Sequence, residues 1–106
     1  MIDKFYDFTK TMDNFIQITE GQTKLLVPKN SLEEKVPPHF PAFFNPLARL
    51  NRDLSIYIYR LFLDEYGNNK NNQITFADAF GGIGPRGLRV AVEVPKVSQI
   101  YINDIN

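Results

Sequence analysis

Residues 73–89 read Gln-Ile-Thr-Phe-Ala-Asp-Ala-Phe-Gly-Gly-Ile-Gly-Pro-Arg-Gly-Leu-Arg, and this stretch decides the fold. Ile74, Phe76 and Ala77 form a short apolar run rich in β-formers, which predicts a buried strand. The run meets Asp78 and then a turn carrying Gly81, Gly82, Gly84 and Gly87. Glycine reaches positive φ and has no Cβ to hold a ligand away from the backbone. Pro85 stands where a first helical residue belongs, its φ preset and its missing N–H no loss. Leu88, Val90, Ala91 and Val92 continue a helix that Pro95 brings to an end. Strand, glycine loop and helix in this order describe a site for a nucleotide-type ligand.

Toward the C-terminus, Ile100, Tyr101 and Ile102 make a second short β run that ends in Asn103-Asp104. In a right-handed βαβ unit the second parallel strand lies beside the first. Asp104 is thereby brought to the same crevice, within reach of a ribose hydroxyl pair. Glycine clusters also serve as plain turns; it is the loop, helix and acid together that favour the ligand site. Gly82-Ile83-Gly84-Pro85-Arg86-Gly87 literally fits G-x-G-x-x-G, the dinucleotide fingerprint. Asp78, however, closes the strand just ahead of the loop, where it would repel a pyrophosphate and attract a cationic amine. S-adenosylmethionine has an amino group and a sulfonium and no phosphate, so charge favours it over a nicotinamide dinucleotide.

Ahead of the glycine loop, residues 1–14 mix Phe5, Tyr6 and Phe8 with charged residues and show no clean period, which predicts a poorly ordered terminus. Residues 15–42 read as a β-hairpin followed by an irregular arm. Phe15–Thr19 alternates, Glu20-Gly21-Gln22 is a turn, and Thr23–Val27 runs to Pro28. Pro37, Pro38 and Pro41 keep the arm irregular, and the lone His39 among them reads as a loop residue. Residues 43–106 begin with Phe43-Phe44-Asn45-Pro46, in which Asn45 suits an N-cap and Pro46 a first helical residue. Leu47, Leu50, Leu54, Ile58 and Leu61 then fall at helical spacing and predict one buried stripe, with Gly67 stopping the helix and Asn68–Asn72 a polar loop. Tyr57 and Tyr59 read as half-buried packing. Asn51-Arg52-Asp53 breaks the stripe early. It reads either as a solvated face or as a site in which Arg52 meets a carboxylate bidentately while an aromatic such as Phe43 covers an adenine.

Across its 106 residues the chain is 43% hydrophobic and 13% aromatic, enough for the core of one domain or part of one. Twelve basic and twelve acidic side chains cancel, so no overall field announces a nucleic-acid partner. The absence of cysteine excludes disulfides and thiolate metal sites. No apolar stretch approaches a membrane span and the start lacks a signal-peptide pattern, so a soluble, cytoplasmic protein with no membrane partner is expected. Two strands of a parallel sheet need neighbours to bury both faces. The expectation is therefore a fragment, a split subunit completed by a second polypeptide, or a degenerate remnant.

Several of these stretches together resemble one family. Ile18-Thr19-Glu20-Gly21 with Lys24–Pro28, Phe43-Phe44-Asn45-Pro46, Asn51-Arg52-Asp53-Leu54-Ser55, the loop from Asp78 to Arg89 and Asn103-Asp104-Ile105 are similar, in the same order, to the tRNA guanine-26 N2-dimethyltransferases. The resemblance implies an α/β fold in which an N-terminal β-hairpin and helix lead into the first βαβ unit of an incomplete Rossmann-like, S-adenosylmethionine-dependent methyltransferase. It implies a tRNA partner and methyl transfer to N2 of a guanine. The cofactor-binding residues expected are Phe43, Arg52, Asp78, Phe80, Gly82, Gly84, Arg86 and Asp104. The family's Asp-Pro-Phe-Gly motif, which addresses the guanine amine, does not occur in these residues, so the catalytic groups are expected beyond Asn106 and the chain alone is expected to be inactive. Two other readings stay open: the nicotinamide-binding half of an oxidoreductase, and a non-enzymatic RNA-binding remnant.

Overall fold

The computed structural model describes residues 13–66 and 73–104. Strands β1 (Phe15–Glu20) and β2 (Thr23–Pro28) pair antiparallel with Glu20 opposite Thr23, and Gly21 takes φ +61° to close the hairpin. Thr23, Leu25 and Val27 point inward while Lys24 and Leu26 face solvent, the alternation expected of a sheet covered on one face. The arm is less irregular than its prolines suggest, because helix α1 (Lys29–Glu33) follows β2 directly. Asn30 Nδ2 then donates to Phe40 O at 2.8 Å and ties the far end of the arm back to α1.

Asn45 begins the next element as expected, its Oδ1 accepting from Leu47 N at 3.0 Å. A 3₁₀ turn (Pro46–Ala48) leads into helix α2 (Arg49–Tyr66). The buried face of α2 is not the leucine stripe. Leu47, Leu50, Leu54, Ile58 and Leu61 are all exposed, Leu50 by 69%, whereas Arg52, Ile56 and Leu63 are buried. Both sets satisfy helical spacing, and they lie on different sides of the helix. The inward set escaped the reading because it contains an arginine, whose burial depends on a partner elsewhere in the chain. Tyr59 is half-buried and meets the Phe76 ring edge-on at 5.3 Å, but Tyr57 is exposed rather than half-buried.

Strand β3 (Ile74–Asp78), helix α3 (Pro85–Glu93) and strand β4 (Val97–Ile102) complete the described chain, with β3 and β4 parallel and a register shift between Ile74 and Thr75. The described residues thus form a mixed α/β fold with two separate two-stranded sheets. Ile56 and Leu63 of α2 pack with Val90 and Val94, and Tyr59, Ile74, Phe76, Val97 and Ile100 close around them. Ile74 and Phe76 face this core while Thr75 and Ala77 are exposed, so β3 is covered on one face rather than buried throughout. A second cluster joins Leu25, Val27 and Phe44, with Ile18 and Ile83 packed against it. It fastens the hairpin beneath the glycine loop. The polar loop at residues 67–72 and residues 1–12 of the terminus expected to be poorly ordered lie outside the described residues. No helix among the described residues is long and apolar enough to cross a membrane.

Candidate ligand-binding site

The glycine loop is held by the end of β4. Asn103 N donates to Asp78 O and Gly81 N to Asn103 O, each at 2.9 Å. These bonds extend the parallel pairing one step past both strands. The chain then reverses through Gly82 (φ +58°) and Gly84 (φ +85°), and Gly84 O accepts from Leu88 N to start α3. Both φ values lie in the left-handed region that favours glycine. Gly87 has a different reason to be glycine, since a Cβ there would lie 2.6 Å from Ile102 Cγ1 and 2.7 Å from its Cδ1. The Ile102 side chain fills the space where α3 crosses the strands, which brings the helix close to the sheet.

Two carboxylates brace this loop from within. Asp104 Oδ2 accepts from Gly82 N at 2.8 Å, and Asp78 Oδ2 accepts from Gly87 N at 3.2 Å, near the start of α3. Between the loop and the head of α2 lies a cavity of about 310 Å³. Its wall includes Phe43, Arg52, Asp78, Phe80, Gly82, Arg86 and Asp104, all residues that the family resemblance implies to be cofactor-binding. Gly84 is the exception: it is buried beneath the loop as the N-cap of α3 and does not line the cavity. Phe44, Asn45, Ala48, Gly81 and Pro85 complete the wall. Phe43 and Phe44 divide their labour, Phe44 buried in the core and Phe43 partly exposed at the cavity and stacked on His39 with ring centres 5.3 Å apart.

The two arginines of the cavity are held differently. Arg86 Nη2 donates to Asn51 Oδ1, and its Nε is buried without a hydrogen-bond partner. Arg52 is held bidentately by Glu20, Nε to Oε1 at 2.6 Å and Nη2 to Oε2 at 2.8 Å. Its Nη1 donates to Asn45 O at 3.1 Å, and its Cζ sits 4.7 Å from the centre of the Phe44 ring.

Behind Arg52 runs a buried ionic network. Arg89 of α3 donates from Nη1 to Glu20 Oε1 at 3.2 Å and to Asp53, and grips Glu93 through Nε at 2.7 Å and Nη2 at 3.1 Å. Thr23 Oγ1 donates to Glu93 Oε2 at 2.8 Å. The hydrogen bond to Glu93 raises the Arg89 pKa above the ordinary arginine value, against the opposing effect of burial and with help from Asp53. Burial pushes the Glu93 carboxyl up, and the bonds from Arg89, Thr23 and the Gln22 backbone together outweigh it, leaving the group below the usual glutamate value. Glu20 reads in sequence as a turn residue, Arg89 only closes the stretch that resembles the family's loop, and Glu93 carries no signal there. Their partners are far away in the chain, so no local pattern reveals them.

The arrangement places two acids and two guanidinium groups around one cavity at the carboxyl ends of two parallel strands. That donor set suits a ligand carrying both a carboxylate and an amine, together with hydroxyls that accept and donate. It does not suit a pyrophosphate, which would sit on the Asp78 and Asp104 side of the loop.

The profile of a family described as N2,N2-dimethylguanosine tRNA methyltransferase matches residues 21–106. Among curated proteins, the tRNA (guanine(26)-N(2))-dimethyltransferase of Methanosphaera stadtmanae is 37% identical over 95 residues, 90% of this chain and 22% of that protein. The protein of the same name in Methanobrevibacter smithii is 37% identical over 89 residues, covering 84% of this chain and 21% of its own length. That of Methanococcus maripaludis is 39% identical over 91 residues, covering 84% and 23%. This chain therefore spans about a fifth of the length of the curated relatives it matches. No solved structure matches it.

Proposed function

Because the chain belongs to the family of N2,N2-dimethylguanosine tRNA methyltransferases, we propose that it is the cofactor-binding portion of such an enzyme and that its cavity takes S-adenosylmethionine. The unit formed by β3, α3 and β4 is, on this reading, the first βαβ of a Rossmann-like methyltransferase domain, residues 43–106 holding a helix and the first half of that domain and residues 15–42 an accessory hairpin and arm. The observation that carries it is the convergence of Arg52, Arg86, Asp78 and Asp104 on one cavity wall. The residues fit the group. Arg86 and Arg52 suit the methionyl carboxylate, Asp78 the ammonium, Asp104 the ribose hydroxyls and Phe43 the adenine face.

When bound, S-adenosylmethionine supplies an electrophilic methyl on a sulfonium. The contribution of this chain's own residues is to bind and orient. Asp104 holds one end of the ligand, the arginines hold the other, and Phe43 supplies an apolar flank. A guanine N2 must lose a proton as it gains a methyl, which calls for a positioned acceptor. A guanine within tRNA must also leave its stack to be reached. We assign neither task to these residues and read the 106-residue chain as inactive alone, its activity requiring the parts of the family that it does not span.

Calorimetric titration with S-adenosylhomocysteine and with NADH tests the cofactor assignment. Heat with S-adenosylhomocysteine and none with NADH is expected; the reverse would restore the nicotinamide reading. Incubation with radioactive S-adenosylmethionine and unmodified tRNA should transfer no label, and label on the tRNA would refute the inactive-alone reading.

A further inference from the structure

We propose that Glu20 is a positioning residue of this site, aiming Arg52 at the carboxylate of a bound ligand; the proposal rests on the cofactor reading above. Glu20 lies at the end of β1, 2% exposed, and receives guanidinium donors from two different helices. Burying an ion pair is an expensive way to hold a hairpin against a helix. Apolar side chains of similar volume commonly do as well or better. Here the pair lies where α2 meets the cavity, and Arg52 is at once its member and a part of the cavity wall.

The geometry restricts what Arg52 can do. Glu20 occupies the edge formed by Nε and Nη2, Asn45 O accepts from Nη1, and Cζ lies over the Phe44 ring, 4.7 Å from its centre. The guanidinium is therefore oriented on several sides before any ligand arrives, and only its remaining N–H groups are available for an acceptor in the cavity. Glu20 cannot swing to follow a moving arginine. Its Oε1 is shared with Arg89, which is anchored in turn by Asp53 and by Glu93, itself bonded to Thr23. Orientation fixed in advance lowers the entropy lost on binding, so the benefit should appear only with ligands that use the arginine.

S-adenosylhomocysteine and methylthioadenosine share the adenosine and thioether, and only the first carries the amino-acid tail. Glu20→Gln keeps the volume but removes the charge and one of the paired acceptors. Measured by calorimetry, it should weaken S-adenosylhomocysteine by on the order of tenfold or more, the scale of a lost charge-assisted bond. Methylthioadenosine should change by less than about twofold, because it never meets Arg52. Equal losses for both ligands would make Glu20 a structural strut, and no loss for either would leave it without a role; each result overturns the proposal. A wild-type protein that binds neither ligand would remove the cofactor reading as well. One that binds both with equal affinity would remove only the inference. Should Glu20→Gln fail to fold, arginine side-chain NMR of the wild type decides. The Arg52 Nε–H signal should exchange slowly and stay in place when S-adenosylhomocysteine is added, while the Nη signals shift, and methylthioadenosine should move neither. A displaced Nε signal, or Nη signals that ignore the tail, would refute the assignment.

Discussion

Gly21 offers the sharpest test of how the hairpin is joined to the rest of the protein. It sits in the tight turn between β1 and β2 with φ +61°, and its missing side chain faces the buried Arg89–Glu93 pair. A Cβ built there would collide with Glu93 Oε1 and lie 2.5 Å from Arg89 Nη2. Ends of long side chains usually move aside cheaply. These do not, because Arg89 is 3% exposed and its donors are committed to Glu93, Glu20 and Asp53. Gly21→Ala therefore meets two separate costs. The left-handed backbone costs an alanine roughly 1–2 kcal/mol. Displacing members of a buried ion pair approaches the cost of breaking it, about 3–5 kcal/mol. The sum is a substantial part of the ~5–15 kcal/mol that holds a typical domain together.

Urea unfolding followed by far-UV circular dichroism measures the loss, and Gly21→Asn separates the two terms. Asparagine tolerates the left-handed region, so it recovers most of the backbone cost. It still carries a Cβ, so the collision remains. Gly21→Asn should thus stay at least about 2 kcal/mol below wild type. A double-mutant cycle with Glu93→Ala should show strong coupling, since the residue struck is then gone. An asparagine variant within about 0.5 kcal/mol of wild type, a margin typical of an ordinary surface change, would show that only φ matters and would refute the collision argument.

Further outcomes follow from the same structure. Ile56→Ala should cost about 2–5 kcal/mol, because Ile56 is 4% exposed in the main core. Leu54→Ala, at a 53% exposed position, should cost under about 1 kcal/mol in the same urea assay; equal losses would return the leucine stripe to the interior. Acid should weaken the fold through Glu93, whose folded-state pKa lies below its unfolded one. The stabilisation is complete above the ordinary glutamate value of about 4.3 and disappears as pH falls from there through the lower folded-state value. Stability measured between pH 7 and pH 3 should therefore drop less steeply in Glu93→Gln than in wild type, and parallel curves would show that Glu93 is not held by its partners.

What the sequence made legible was whatever depends on neighbours a few positions away. The turn at Gly21, the cap at Asn45, the strand–loop–helix from Ile74 to Glu93 and the acid at the end of β4 are all local devices, and each stands in the structure where its residue pattern puts it. The meeting of the glycine loop and Asp104 at one cavity follows from pairing two parallel strands, a consequence of topology that spacing alone can anticipate. The failures at the buried network and on α2 share one cause. Glu20 meets Arg52 across 32 positions and Arg89 across 69, and Thr23 meets Glu93 across 70. Periodicity carries no information at that range. Reading α2 by hydrophobicity alone then selected the leucines, because an arginine counts against burial until its counter-charge is known. Once Glu20 is placed beside it, Arg52 becomes an inward residue and the helix turns to bury Ile56 and Leu63 behind it. The orientation of α2, and with it the aim of Arg52 into the cavity, is thus set by an ion pair that neither segment reveals by itself.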